Sequence, residues 1–148
     1  MIEPNKDLIG IVPAADPDAP SAFVIDDERG ICLFVGKTLE KLGFAVSTFS
    51  KADEALAAVG RHAPKIIFLD IALEQSDAID VIKGLGDQHY GGIIQLMSGN
   101  PRLLAAIQRL AKRDRLNIRS PLSKPFKGEA IRQVIAEVQV AGLAVPAP

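Results

Sequence analysis

The sequence predicts an α/β protein, a single doubly wound (βα)5 sandwich around a five-stranded parallel sheet. Two observations carry this. Short apolar runs alternate with segments whose apolar residues recur at helical spacing, giving five strand-helix units in about 120 residues. Parallel strands need crossover helices, and those crossovers are right-handed, so consecutive units wind into helices on both faces of one sheet. The strand ends carry a further signal. Phe23-Val24-Ile25 leads into Asp26 and Asp27, Ile66-Ile67-Phe68-Leu69 into Asp70, and Ile93-Ile94-Gln95-Leu96-Met97 into Ser98. A less regular stretch, Ile118 to Leu122, leads into Lys124-Pro125. In an open α/β sheet, ligands bind outside the carboxyl ends of the strands. Periodicity leaves the strand order open; 2-1-3-4-5 is one allowed solution.

The elements follow in order. Arg29 to Leu42 carries Ile31, Phe34, Val35, Leu39 and Leu42 on one helical stripe, and Gly43 is a natural stop. Phe44 to Phe49 alternates as a strand. Ser50 with Asp53 resembles a capping box opening a helix to about Arg61. Lys65 to Leu69 is continuously apolar, as a strand covered on both faces should be. Ser76 or Asp77 can cap a helix carrying Ile79, Val81 and Ile82. Gly91-Gly92 separates it from a strand over Ile93 to Met97. Asn100-Pro101 is a cap and first-turn pair for a helix with Leu103, Leu104, Ile107 and Leu110, reaching about Arg115. After the last strand, Lys127 to Val140 carries Ile131, Val134, Ile135 and Val138 at helical spacing.

Both ends differ from this middle. Residues 13–20 hold three prolines in eight positions and read as an extended arm, preceded by the apolar run Leu8 to Val12. Val145 to Pro148 reads as a linker or frayed end. The expected organisation is an N-terminal arm over 1–20, one domain over 21–140 and a tail over 141–148.

Bulk properties exclude several classes. The chain has 148 residues, 48% of them hydrophobic and 24% charged, as in a globular domain with a sizeable core. A formal net charge of −1 gives no global basic field for nucleic acid. No apolar stretch approaches the roughly 18 residues needed to span a bilayer, and the N-terminus lacks the basic-then-apolar pattern of a secretion signal. One cysteine, Cys32, excludes an intrachain disulfide and suits a reducing compartment, so the cytoplasm is the expected location. Cys32 falls near the buried stripe of its helix and reads as a small hydrophobe. His62 and His89 have no ligand spacing, so no zinc site is read.

Three carboxylates, a hydroxyl and an ammonium at one sheet edge describe a divalent-cation and phosphoryl site. Two adjacent carboxylates repel by roughly 4 kcal/mol at about 4 Å for an effective dielectric near 20. A third, Asp70, makes the cluster unfavourable without a cation, and an oxygen-ligated ion such as Mg²⁺ removes the penalty. Asp70 is the nucleophile candidate, since aspartate forms acyl phosphates. Ser98 suits a hydrogen bond to a phosphoryl oxygen, and Lys124 supplies a mobile point charge. Each has an ordinary alternative: helix caps for the aspartates, a loop hydroxyl, a solvated lysine.

Together these residues resemble a response-regulator receiver domain of bacterial two-component signalling, over roughly Ala22 to Val140. The motifs are Phe-Val-Ile-Asp-Asp-Glu at 23–28, Ile-Ile-Phe-Leu-Asp at 66–70, Met-Ser-Gly at 97–99 and Lys-Pro-Phe at 124–126. The resemblance implies a flavodoxin-like sheet of order 2-1-3-4-5. It implies that Asp70 accepts a phosphoryl group from a phosphohistidine on a histidine kinase or phosphotransfer protein, and that a downstream protein or effector domain reads the result. It implies Mg²⁺ held by Asp27, Asp70 and the carbonyl of Ala72, with Asp26 assisting through water. Ser98 and Lys124 would contact the phosphoryl oxygens, and the Lys124-Pro125 bond would be cis. Such a domain gains and slowly loses its own phosphoryl group and is not a turnover enzyme. It binds neither nucleic acid nor membrane directly, and a homodimer is compatible with it.

Some positions depart from the family pattern. Glu74 and Ala78 stand where a proline and a glycine are usual after the acceptor aspartate. The stretch from Ser98 to Lys124 is longer than usual, which suggests an extended fourth helix. Pro121 occupies the position of the switching aromatic, three residues before the lysine. The alternative reading is a receiver-like interaction module that works unphosphorylated. A haloacid-dehalogenase-type phosphatase would need a second acid two residues after Asp70, where this chain has Ala72.

Overall fold

The computed structural model describes residues 18–72, 77–99 and 101–141. The elements run β1 (Ser21–Ile25), α1 (Arg29–Lys41), β2 (Ala45–Phe49), α2 (Ala52–Arg61), β3 (Ile66–Asp70), α3 (Asp77–Asp87), β4 (Ile93–Ser98), a 3-10 turn (Pro101–Leu103), α4 (Leu104–Arg113), β5 (Asn117–Ser123) and α5 (Gly128–Ala141). All strand pairs are parallel, in the order β2-β1-β3-β4-β5.

Side chains alternate across each strand, and this alternation builds two cores. Ala22, Val24, Ile66, Phe68, Ile93 and Met97 face α1 and α5. Phe23, Ile25, Ile67, Leu69, Ile94 and Leu96 face α2, α3 and α4. The inner strands β3 and β4 are buried along their whole length, as their largely apolar sequences, with Gln95 the one polar residue inside either run, require. Completely burying a side chain such as Phe68 or Leu69 contributes about 1.5–3 kcal/mol. On the second face α3 lies close against its neighbours: a Cβ on Gly84 would overlap Leu56 of α2, and one on Gly86 would overlap the Asp114 carboxylate after α4.

Three helices end alike. After α1, Gly43 takes φ 98°, and the N–H groups of Gly43 and Phe44 donate to Glu40 and Leu39. After α3 and α4, His89 (φ 54°) and Arg115 (φ 58°) take the same left-handed position. The buried residue that follows, Tyr90 or Leu116, donates five residues back, to Leu85 or Ala111. This is the Schellman arrangement. It explains why α4 stops at Arg113 rather than Arg115: the chain turns to bury Leu116.

Other local expectations shift. The fourth helix is not extended; its first turn is 3-10 and the α-helical part has 10 residues. The capping box at Ser50 does not form, because α2 begins one residue later with Lys51 at its N-cap and no side-chain cap bond. Asp53 instead accepts from the N–H of Glu54 at 2.8 Å. Leu8 to Val12, the proline-rich stretch 13–17, Ser76, Asn100 and the tail 142–148 lie outside the described residues.

Part of the extra length before Lys124 sits in β5. Gln95 pairs with Arg119 while Met97 pairs with Leu122, so Leu96 faces both Ser120 and Pro121. This is a β-bulge. Pro121 fits there because it has no N–H to give to the ladder.

Candidate functional site

The doubly wound topology brings the carboxyl ends of β1, β3, β4 and β5 to one edge. Asp26 follows β1, Asp70 is the last residue of β3, Ser98 the last of β4, and Lys124 follows β5. Asp26 and Asp70 are 1% and 2% exposed, and Ser98 is buried too. Asp27 is exposed at the rim. The aspartates are not helix caps: the N-cap of α1 is Glu28, without a side-chain cap bond.

Lys124 ties these ends together. Its Nζ lies 2.7 Å from Asp26 Oδ2, 3.3 Å from Asp70 Oδ2 and 3.4 Å from Glu28 Oε1. Backbone bonds fix the surroundings. Glu28 N–H donates to Asp26 Oδ1 at 2.8 Å, and Ala72 N–H donates to Asp70 Oδ1 at 3.0 Å. Lys124 N–H donates to the Ser98 carbonyl at 2.9 Å, joining β5 to the hydroxyl-bearing end of β4. The Lys124-Pro125 bond is cis. Lys124 and Asp70 line an open cavity of about 570 Å³ with Asp27, Glu28 and Ala72.

The electrostatics follow from burial and pairing. Burial pushes the Asp26 carboxyl above its ordinary value, against the pull of Lys124 and the Glu28 N–H. Burial also opposes the charge on Lys124, but the hydrogen bond and charge of Asp26, with Asp70, outweigh it and raise the ammonium's pKa. Asp26, Asp27 and Asp70 can each turn one oxygen to within 4.8 Å of the others. These are three hard oxygen donors, two of them buried, and the two buried ones share the Lys124 ammonium. This donor set fits a hard dication such as Mg²⁺.

All five side chains expected from the sequence therefore meet at this edge, and Ala72 lines the same cavity. Cys32 is buried, and its Sγ donates to the Asp26 carbonyl at 3.3 Å. Burial, with the nearby Asp26 charge, pushes this thiol up, which disfavours the thiolate. Two residues escaped sequence reasoning. Glu28 is the third member of an acidic run, a pattern that signals nothing alone. Gln95 is a polar residue inside an apolar strand, and that interruption was its only signal. Of the departing positions, Glu74 lies outside the described residues, Ala78 is buried in α3, and Pro121 is half-buried in the β5 bulge.

The family model "Response regulator receiver domain" matches residues 22–136. The nitrogen assimilation regulatory protein NtrX of Azorhizobium caulinodans is 29% identical over 115 residues, 76% of this chain and 24% of that protein. The alkaline phosphatase synthesis transcriptional regulatory protein PhoP of Bacillus subtilis is 38% identical over 66 residues, 45% of this chain and 28% of that protein. The chain thus spans about a quarter of the length of these relatives. The crystal structure of NtrX from Brucella abortus superimposes with TM-score 0.69 at 30% identity, covering 83% of this chain and 28% of that one.

Proposed function

This chain belongs to the response regulator receiver domain family, and on that premise we propose that it is a phosphoaccepting signalling switch with Asp70 as the acceptor. The observation that carries the reading is the single ammonium of Lys124, which reaches both Asp26 and Asp70 at the carboxyl edge of the sheet. Asp70 lies in a cavity open to a donor, and its Oδ1 is oriented by the Ala72 N–H.

In this reading an Asp70 oxygen attacks the phosphorus of a phosphohistidine. The O–P bond forms as the N–P bond breaks, and the imidazole nitrogen leaves with the electron pair. Lys124 and the Ser98 hydroxyl then contact the phosphoryl oxygens. Asp27, Asp70 and the Ala72 carbonyl would hold Mg²⁺, with Asp26 helping through water. The ion would neutralise charge on the transferring group. The acyl phosphate is lost slowly to water, so the chain is a switch rather than a turnover enzyme. About −1.5 to −2 charges are added at neutral pH, which biases the surface that a partner reads.

The donor in this proposal is a histidine kinase or phosphotransfer protein, and the reader is a downstream protein or an effector domain. The receiver unit spans 21–140 and works in the cytoplasm, as a monomer or homodimer, without contacting nucleic acid itself. No helix among the described residues is long and apolar enough to cross a membrane.

The test is incubation with acetyl phosphate and Mg²⁺ followed by intact-mass analysis. The wild type should gain one phosphoryl group, and Asp70→Asn should gain none while keeping its fold. Undiminished acid-labile labelling of Asp70→Asn would put the chemistry elsewhere. A wild type that takes no label would favour an interaction module that works unphosphorylated.

A further inference from the structure

Glu28 opens α1, but it does not act as the helix cap its position suggests. It has extended backbone angles (φ −92°, ψ 113°) and no side-chain cap bond. Glutamate is a poor residue for that position, where shorter oxygen-bearing side chains are preferred. Its carboxylate instead lies 3.4 Å from Lys124 Nζ, while its own N–H donates to Asp26 Oδ1. A lysine ammonium has three N–H donors and no acceptor. Three carboxylates surround this one, at 2.7 Å (Asp26), 3.3 Å (Asp70) and 3.4 Å (Glu28).

The three contacts differ in how readily they can be given up. Asp26 is enclosed, and both its oxygens are engaged, by Lys124 and by the Glu28 N–H. Asp70 is the acceptor itself. Glu28 makes the longest contact, and its side chain is 64% exposed, so water takes over its carboxylate when Lys124 leaves. A phosphoryl oxygen arriving on Asp70 needs one donor of Lys124. Glu28 is the cheapest of the three to displace.

We propose that Glu28 is a positioning residue that occupies one donor of Lys124 in the resting protein and yields it to the incoming phosphoryl oxygen. The proposal rests on the reading of Asp70 as acceptor. Glu28 thereby restrains the response to anionic phosphodonors, by holding the ammonium toward the rim and by adding a negative charge beside the cavity.

Two variants separate these effects. Glu28→Gln removes the charge and weakens the contact. Glu28→Asp keeps the charge but is one methylene too short to hold the same position. Both should shift the Lys124 ammonium signal in heteronuclear NMR of the resting protein. Both should take label from acetyl phosphate with Mg²⁺ faster than wild type at low salt, by roughly two- to fivefold for Glu28→Gln, the range of an exposed ion pair. A Glu28→Asp protein that labels like wild type while Glu28→Gln is faster would leave only the charge effect and overturn the place-holder role. So would an unmoved Lys124 signal in both variants, whatever the labelling. A wild type that takes no label overturns the acceptor reading and the displacement with it, whereas labelling at equal rates in all three proteins overturns the role of Glu28 alone.

Discussion

Gln95 donates its side-chain amide to the Ser120 carbonyl at 2.7 Å, across the register shift between β4 and β5. The same Nε2 lies 2.9 Å from the Leu96 carbonyl, and Oε1 accepts from Arg119 Nε at 3.2 Å. Gln95 therefore supplies hydrogen bonds where the bulge interrupts the ladder and Pro121 has no N–H to offer. The chain of contacts continues outward, from Arg119 to Glu137 on α5. Gln95→Leu keeps the strand and roughly the volume but deprives the buried Leu96 carbonyl and the part-buried Ser120 carbonyl of a donor. It should cost about 1–3 kcal/mol, read as a lower denaturation midpoint with an unchanged denaturant slope. A variant as stable as wild type would show that the backbone or water satisfies the bulge without Gln95.

Tyr90 gives a stability signal far from the site. Its hydroxyl donates to the Pro64 carbonyl at 2.7 Å, and burial pushes its pKa well above the ordinary range. The unfolded chain loses this proton near pH 10. The folded state therefore holds more protons above that pH, and the stabilisation present below it is lost as pH rises toward the folded-state value. Tyr90 is the only tyrosine and there is no tryptophan, so tyrosinate absorbance reports it alone. Ionisation should coincide with alkaline unfolding, and Tyr90→Phe should lose about 1 kcal/mol at neutral pH and show a shallower alkaline decline. Ionisation well before unfolding would contradict the buried hydrogen bond.

Mg²⁺ should raise thermal stability, by about 2.7 kcal/mol at a hundredfold excess over Kd. Asp26 is already engaged through both oxygens by Lys124 and the Glu28 N–H, whereas Asp27 faces the cavity from the rim. As an outer partner, Asp26→Ala should weaken Mg²⁺ binding about tenfold, and Asp27→Ala should weaken it further. Titration calorimetry giving Asp27→Ala the affinity of wild type would remove Asp27 from the ligand set.

The five strand-helix units and the five site side chains were legible because each rests on a local pattern. Asp26, Asp70, Ser98 and Lys124 all follow apolar runs, and parallel winding then brings those run ends together without further information. What depends on register was not legible. The bulge at Ser120 and Pro121 exists only relative to Leu96 on the neighbouring strand. Gln95 and Arg119 are ordinary residues until that pairing places them side by side. The sequence pattern runs on to Arg115, but α4 ends earlier because burial of Leu116, a tertiary matter, makes Arg115 take a left-handed conformation normally left to glycine. Glu28 resembles any solvated acid after a strand until Lys124, from the far end of the chain, is set beside it.

A phosphoryl signal at Asp70 would travel away from β5. In receiver domains generally, a hydroxyl and an aromatic shift together, but Pro121 has no ring to swing and no N–H to exchange partners with. Around it Gln95 bonds Ser120, and Arg119 is held from both sides by Gln95 and Glu137. This part of β5 is therefore pinned. By contrast, Ser98 ends β4, which pairs with the strand that Asp70 ends, and is followed by a 3-10 turn and a short amphipathic helix, whose buried residues are Ile107 and Ala111. Beryllofluoride with Mg²⁺ should therefore change amide exchange mainly over 71–78 and 98–115, with little change over 118–122. Exchange concentrated at 118–122 would mean that the bulge itself is the moving part, with the Gln95 contacts breaking as the switch is thrown. Adding Gln95→Leu sharpens the experiment: with the pin removed, the response should spread into 118–122 while the change at 98–115 persists.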